Sequence, residues 1–139
     1  MKLIKDWLDS IHTPYSQIIN GEVDNLEVIS FFHQGKLLLA EHSIDDPDFY
    51  RFSLFHIDKV DPENAEAVLE VINKLNHDKK LVKTVYHDNI VDLNAELFFI
   101  HDVLDEYSQL KFYKTMERIM LMLHQANFTY CIETKWLSR

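Results

Sequence analysis

The chain has 139 residues, 47% of them apolar and 12% aromatic, a size that suits one domain with its own core. Its net charge of -9 repels phosphate backbones and argues against nucleic acid as a partner. A single cysteine, Cys131, excludes an internal disulfide, the two glycines leave no glycine-rich phosphate loop, and no apolar run approaches the roughly 18 residues of a membrane span.

Residues 1–11 predict a helix, with Leu3, Ile4, Trp7, Leu8 and Ile11 on one face and Lys2, Lys5, Asp6 and Asp9 on the other. The start is charged too soon for a signal peptide, so the expectation is a soluble cytoplasmic protein. Thr13-Pro14 ends the helix. The stretch that follows carries turn signals at Asn20-Gly21 and Asp24-Asn25 and no clear element. Residues 26–33, rich in β-branched and aromatic side chains, predict a strand, Gln34-Gly35 a turn, and residues 36–41 the returning strand. After the turn at Asp45-Asp46-Pro47-Asp48, residues 49–57 predict a third strand. Its Tyr50, Phe52 and Leu54 fall on one face, Arg51 and Ser53 on the other. Short links make these three strands an antiparallel meander.

Residues 61–76 form the clearest helix signal. Asp61 is placed to cap it, Pro62 fits its first position, and Ala65, Val68, Leu69, Ile72 and Leu75 make one apolar stripe. Residues 81–86 predict a fourth strand and His87-Asp88-Asn89 a tight turn. Val91, Leu93, Ala95, Leu97 and Phe99 then alternate with Asp92, Asn94 and Glu96 as a fifth strand. From about residue 104 to 125 a long helix carries Tyr113, Met116, Met120 and Leu123 on one stripe, widened by Phe112 and Ile119. Leu121 and Met122 make this end apolar nearly all round, which calls for a sandwiched position or a covering chain. In residues 126–139, Phe128, Tyr130, Ile132 and Trp136 alternate weakly, as an edge strand or an extended arm would. The order α-βββ-α-ββ-α, with helices beside antiparallel hairpins, defines a single-domain α+β fold.

This order, with Ile72-Asn73-Lys74-Leu75-Asn76 closing the middle helix just before a β hairpin, resembles the YbjN-type sensory transduction regulator family. That family is similar in fold to the type III secretion chaperones. The resemblance covers roughly residues 1–125, and its most recognisable local piece is the N-x-L-N ending from Asn73 to Asn76. It implies a non-enzymatic, cytoplasmic, chaperone-like binding protein, often dimeric, and it carries over no functional residue.

Chemistry is sparse. None of the eight histidines lies three or four residues from another, so no helix face pairs two imidazoles around a metal, and no cofactor is expected. His101-Asp102, followed by Asp105 and Glu106, could orient a general base for a hydrolase, but acids there also suit a helix start. Ser53 and Ser108 lack a nucleophile-elbow context, and Cys131 has Glu133 rather than a cation beside it, with Lys135 four residues on. The first strand is apolar on both faces: Ile29 and Phe31 on one, Val28 and Phe32 on the other. Two long helices covering one sheet face would leave some of these in water, whereas the first helix and the tail could cover the second face. The partner-binding candidates are therefore Ile29 and Phe31 with the adaptable Met116, Met120 and Met122. The sequence points to a homodimeric module that holds another polypeptide, basic by charge complementarity, on its apolar sheet face or open edge. The competing reading is an acidic inhibitor or immunity-type protein that neutralises one basic enzyme.

Overall fold

The computed structural model describes residues 1–22, 24–100 and 106–137. Among these, helix α1 (Lys2–Ser10) leads into strands β1 (Tyr15–Asn20), β2 (Leu26–His33), β3 (Lys36–Ser43) and β4 (Phe49–Lys59). A short 3-10 turn (Pro62–Asn64) precedes helix α2 (Ala65–Asp78), then come β5 (Val82–His87), β6 (Ile90–Phe98) and helix α3 (Glu106–Thr134). The six strands form one antiparallel sheet in the order β1-β2-β3-β4-β6-β5, and the fold is α+β.

Hairpin register decides which side chains face the helices. Gln34 and Gly35 both adopt positive φ, as do Asp88 and Asn89, the backbone that a tight two-residue hairpin requires. The first turn sets His33 against Lys36, so Phe31 pairs with Leu38 and Ile29 with Ala40. Leu38 and Ala40 in turn face Leu54 and Phe52, which face Leu93 and Ala95. This belt is buried and packs with Leu3, Ile4, Trp7 and Leu8 of α1 and with Phe112, Met116, Ile119, Met120 and Leu123 of α3. A second cluster joins Val68, Val71, Ile72 and Leu75 of α2 to Val91 and Tyr130. All three helices thus sit on one side of the sheet.

Four expectations need correction. Residues 15–20 form a sixth strand, made by pairing with β2 rather than by any local signal. Asp61 makes no side-chain cap bond, because the 3-10 turn starts the segment and α2 proper begins at Ala65. The tail is neither edge strand nor arm. Ala126, Tyr130 and Thr134 continue the buried stripe of α3 at helical spacing, and Tyr130 reaches α2, so helix outcompetes extension through Thr134. Finally, α1 and the tail do not cover the second sheet face, since both pack with the first.

Candidate functional site on the bare sheet face

Among the described residues no helix lies over the opposite face, which carries the other parity of every strand. Four rows cross it. Phe32 sits beside Leu37, both exposed, Phe32 to 65%. Next come Ser16, Ser30, Leu39, Ser53, Asn94 and Lys83, each paired with its neighbour. The third row is charged: Arg51 lies between Glu41, at 3.4 Å, and Glu96, at 3.1 Å. At the far end Phe49 packs on Phe98 with ring centroids 5.2 Å apart, and the Arg51 guanidinium lies over Phe49. Phe98 is 67% exposed. The amides of Phe49 and Phe99 donate to the carbonyls of Asp46 and Asp48, which sets the acidic turn 45–48 against this aromatic end. The face is therefore apolar at both ends and polar between, with acidic groups at one rim.

Both sheet edges are guarded. On β5, the Thr84 amide donates to Asn76 Oδ1 at 2.7 Å, and Asn76 Nδ2 donates back to the Thr84 carbonyl at 2.9 Å. The side-chain amide of Asn76 thus occupies the edge groups that a further strand would need. Lys83 Nζ closes the same corner on the carbonyls of Asn76 and Lys79. On β1 the register breaks between Gln17 and Ile19, and Gln17 Nε2 donates to the Ile19 carbonyl at 2.6 Å. Such a bulge turns an edge away from pairing.

Several of the described histidines connect elements. Nδ1 of His33 and Nε2 of His124 are 2.9 Å apart, joining β2 to α3, and burial holds both rings below the usual imidazole range, with Lys36 adding to the effect on His124. His87 Nε2 lies 2.6 Å from Asp92 Oδ2, while Asp92 Oδ1 accepts the His56 amide at 2.8 Å. That amide belongs to a two-residue bulge in β4, where His56 takes positive φ. The two extra residues preserve strand parity, so Asp58 still faces the helices and accepts a hydrogen bond from the Tyr130 hydroxyl at 2.7 Å. Among the described residues no group of three or more histidine, cysteine, aspartate or glutamate side chains gathers as metal ligands. His101 and Asp102 lie outside the described residues. Cys131 is an exposed free thiol.

Of the partner-binding candidates, Ile29, Phe31, Met116 and Met120 are all buried in the core, where contact between sheet and helices accounts for them. Met122 is half-buried and lines an apolar hollow of about 550 Å³ with Leu81, Leu97, Phe99 and Ile119. On the bare face apolar surface is presented by exposed Phe32, Leu37 and Phe98 and half-buried Phe49, on the strand parity opposite to Ile29 and Phe31. A signal for them was present: once the Gln34-Gly35 hairpin is paired, Ile29 and Phe31 join the apolar parity of β3 and β4, while Phe32 joins the parity that carries Glu41 and Arg51.

A six-stranded antiparallel sheet with helices on one side and an uncovered second face defines a class of small α+β domains. Among solved structures, the chain is similar to YbjN from E. coli, a candidate transcription regulator. The TM-score is 0.57 at 17% identity, over 95% of this chain and 88% of that one. The fold expected from the element order is thus the fold observed. No protein-family model matches the chain, and no curated protein matches it in sequence. No helix among the described residues is long and apolar enough to cross a membrane.

Proposed function

We propose that this protein is a non-enzymatic binding module that holds a partner polypeptide across the bare face of its sheet, in a chaperone-like or regulatory role. The observation that carries this reading is the pairing of exposed Phe32 and Leu37 at one end of that face with Phe49 and Phe98 at the other. Each end is an apolar pair with exposed surface rimmed by polar side chains, the kind of patch that protein interfaces use. Burying each large side chain under a partner is worth about 1.5–3 kcal/mol, so four anchors suffice for a useful affinity after the costs of association. The carboxylates of the turn 45–48 beside Phe49 and Phe98 favour a basic partner segment and speed its approach. Strand addition is the weaker mode, given Asn76 on one edge and the bulge on the other.

The test is site-specific photocrosslinking in cells. A benzoylphenylalanine at Phe32 or at Phe98 is expected to capture partner polypeptide, and the same group at exposed Glu66 on α2 is not. Adducts at the two sheet positions no stronger than at Glu66 would remove the reading. A single stoichiometric adduct with a basic enzyme would favour the inhibitor alternative, and several clients the chaperone-like one.

A further inference from the structure

Helix α3 carries a mixed stripe on the flank of its buried face. Lys111, Thr115, Arg118 and Met122 recur at spacings of four, three and four, so they share one side of the helix, beside buried Ile119. Opposite this stripe the sheet stops short. β5 begins at Val82, paired with Ala95, whereas β6 runs on to Phe98, so the end of β6 has no strand on that side among the described residues. The hollow of about 550 Å³ lies there, lined by Leu81, Leu97, Phe99, Ile119 and Met122, with Lys111 and Arg118 on its helix side.

The two cations are out of balance with the rest of the chain. It carries 23 acidic side chains against 14 basic ones, yet the described residues that line the hollow include a lysine, an arginine and no carboxylate. Neither Lys111 nor Arg118 takes part in an ion pair among the described residues. They stand seven residues apart, about 10 Å along the axis, on flexible stems that let both heads reach one anion over Thr115. The Thr115 hydroxyl donates to the Lys111 carbonyl at 2.9 Å and has no proton left for a ligand. We propose that the hollow binds a single-chain fatty carboxylate, its chain against Leu97, Phe99, Ile119 and Met122 and its head between Lys111 and Arg118. A guanidinium matches a carboxylate as a two-pronged fork, and the ammonium adds a second charge. At about 30 Å³ per heavy atom, the share of a water molecule in the liquid, a ten-carbon acid needs about 360 Å³. It fits the hollow with room for a few more methylenes, whereas a two-chain lipid does not fit. An apolar lining with a few placed charges, at this volume, is the usual form of a small-molecule pocket. Of the bare-face residues the hollow includes only Phe98, so the site stands without the partner-binding reading.

The test is isothermal titration calorimetry with octanoate, decanoate and dodecanoate, each below its micelle-forming concentration. Decanoate is expected to saturate one site per chain below about 1 mM, and each added methylene to tighten binding roughly three- to fourfold. Decyltrimethylammonium has the same chain and a positive head, and is expected to bind roughly tenfold or more weakly. In a chain of net charge -9, a preference for the anion is the mark of Lys111 and Arg118. Both are exposed, so Lys111→Gln combined with Arg118→Gln is expected to leave circular dichroism unchanged and to weaken decanoate roughly tenfold or more. Phe32→Ser, on the bare face, is expected to leave decanoate binding as it was. No saturation at about 1 mM by decanoate or dodecanoate, equal affinity for decyltrimethylammonium, a flat chain-length series, or binding indifferent to the paired glutamine variant would each overturn the proposal. So would decanoate affinity lost in Phe32→Ser, which would put the acid on the sheet face instead. A failed titration with photocrosslinking at Phe32 intact would remove this site and leave the partner-binding reading standing.

Discussion

Asn76 shows how one side chain can decide what a strand does. Its amide satisfies both outward backbone groups of Thr84, so replacing it leaves a donor and an acceptor at a part-buried edge. Asn76→Ala is expected to cost about 1–2 kcal/mol in urea denaturation and to speed hydrogen exchange at the Thr84 amide. The His33–His124 pair contributes to the pH response below neutrality. Burial lowers both imidazole pKa values in the folded state, so the unfolded chain binds more protons once the pH falls through the ordinary imidazole range near 6.5. Stability should be complete above that range and decline as the pH drops through it, with Lys36 nearby reinforcing the penalty on a charged His124. Thermal denaturation between about pH 7.5 and 5.5 is expected to show a steeper loss for the natural chain than for a variant carrying His33→Gln and His124→Gln.

The last helix is the element that ties the two buried clusters together. Its first half packs under β2, β3, β4 and β6, and its second half brings Tyr130 into the cluster of Val68, Ile72 and Val91. The Tyr130 hydroxyl also binds Asp58 just past the β4 bulge. Tyr130→Phe is expected to cost about 0.5–1.5 kcal/mol through that bond alone, and Tyr130→Ala about 3–5 kcal/mol through the added cavity. An extended arm after residue 125 would make both changes nearly silent in chemical denaturation, so the pair of variants measures whether α3 continues as described.

At the scale of the whole molecule, apolar side chains divide into those that hold the fold and those that are free to act. Ile29 and Phe31 are buried in the first set while Phe32 and Phe98 are exposed, although Phe31 and Phe32 are neighbours on one strand. Ile29→Ala and Phe31→Ala are expected to cost about 2–5 kcal/mol each. Phe32→Ser and Phe98→Ser are expected to change stability by about 0.5 kcal/mol or less, while abolishing partner capture at the bare face.

The fold class was legible because period and punctuation are local properties. Alternation from Val91 to Phe99, the stripe from Val68 to Leu75, and the Gln34-Gly35 turn each announce their element whatever surrounds them. β1 was not legible, because Tyr15–Asn20 has no buried face of its own and becomes a strand only by pairing with β2. The helical tail was misread for a related reason: the weak alternation of Phe128, Tyr130, Ile132 and Trp136 also fits a helix with apolar groups on two sides, and the contact of Tyr130 with α2 selects the helix. The sequence by itself determined which side chains are apolar and at what period. Which of two apolar faces is buried depends on where distant helices dock, and only the tertiary structure decided that, by placing all three on the side of Ile29 and leaving Phe32 in water.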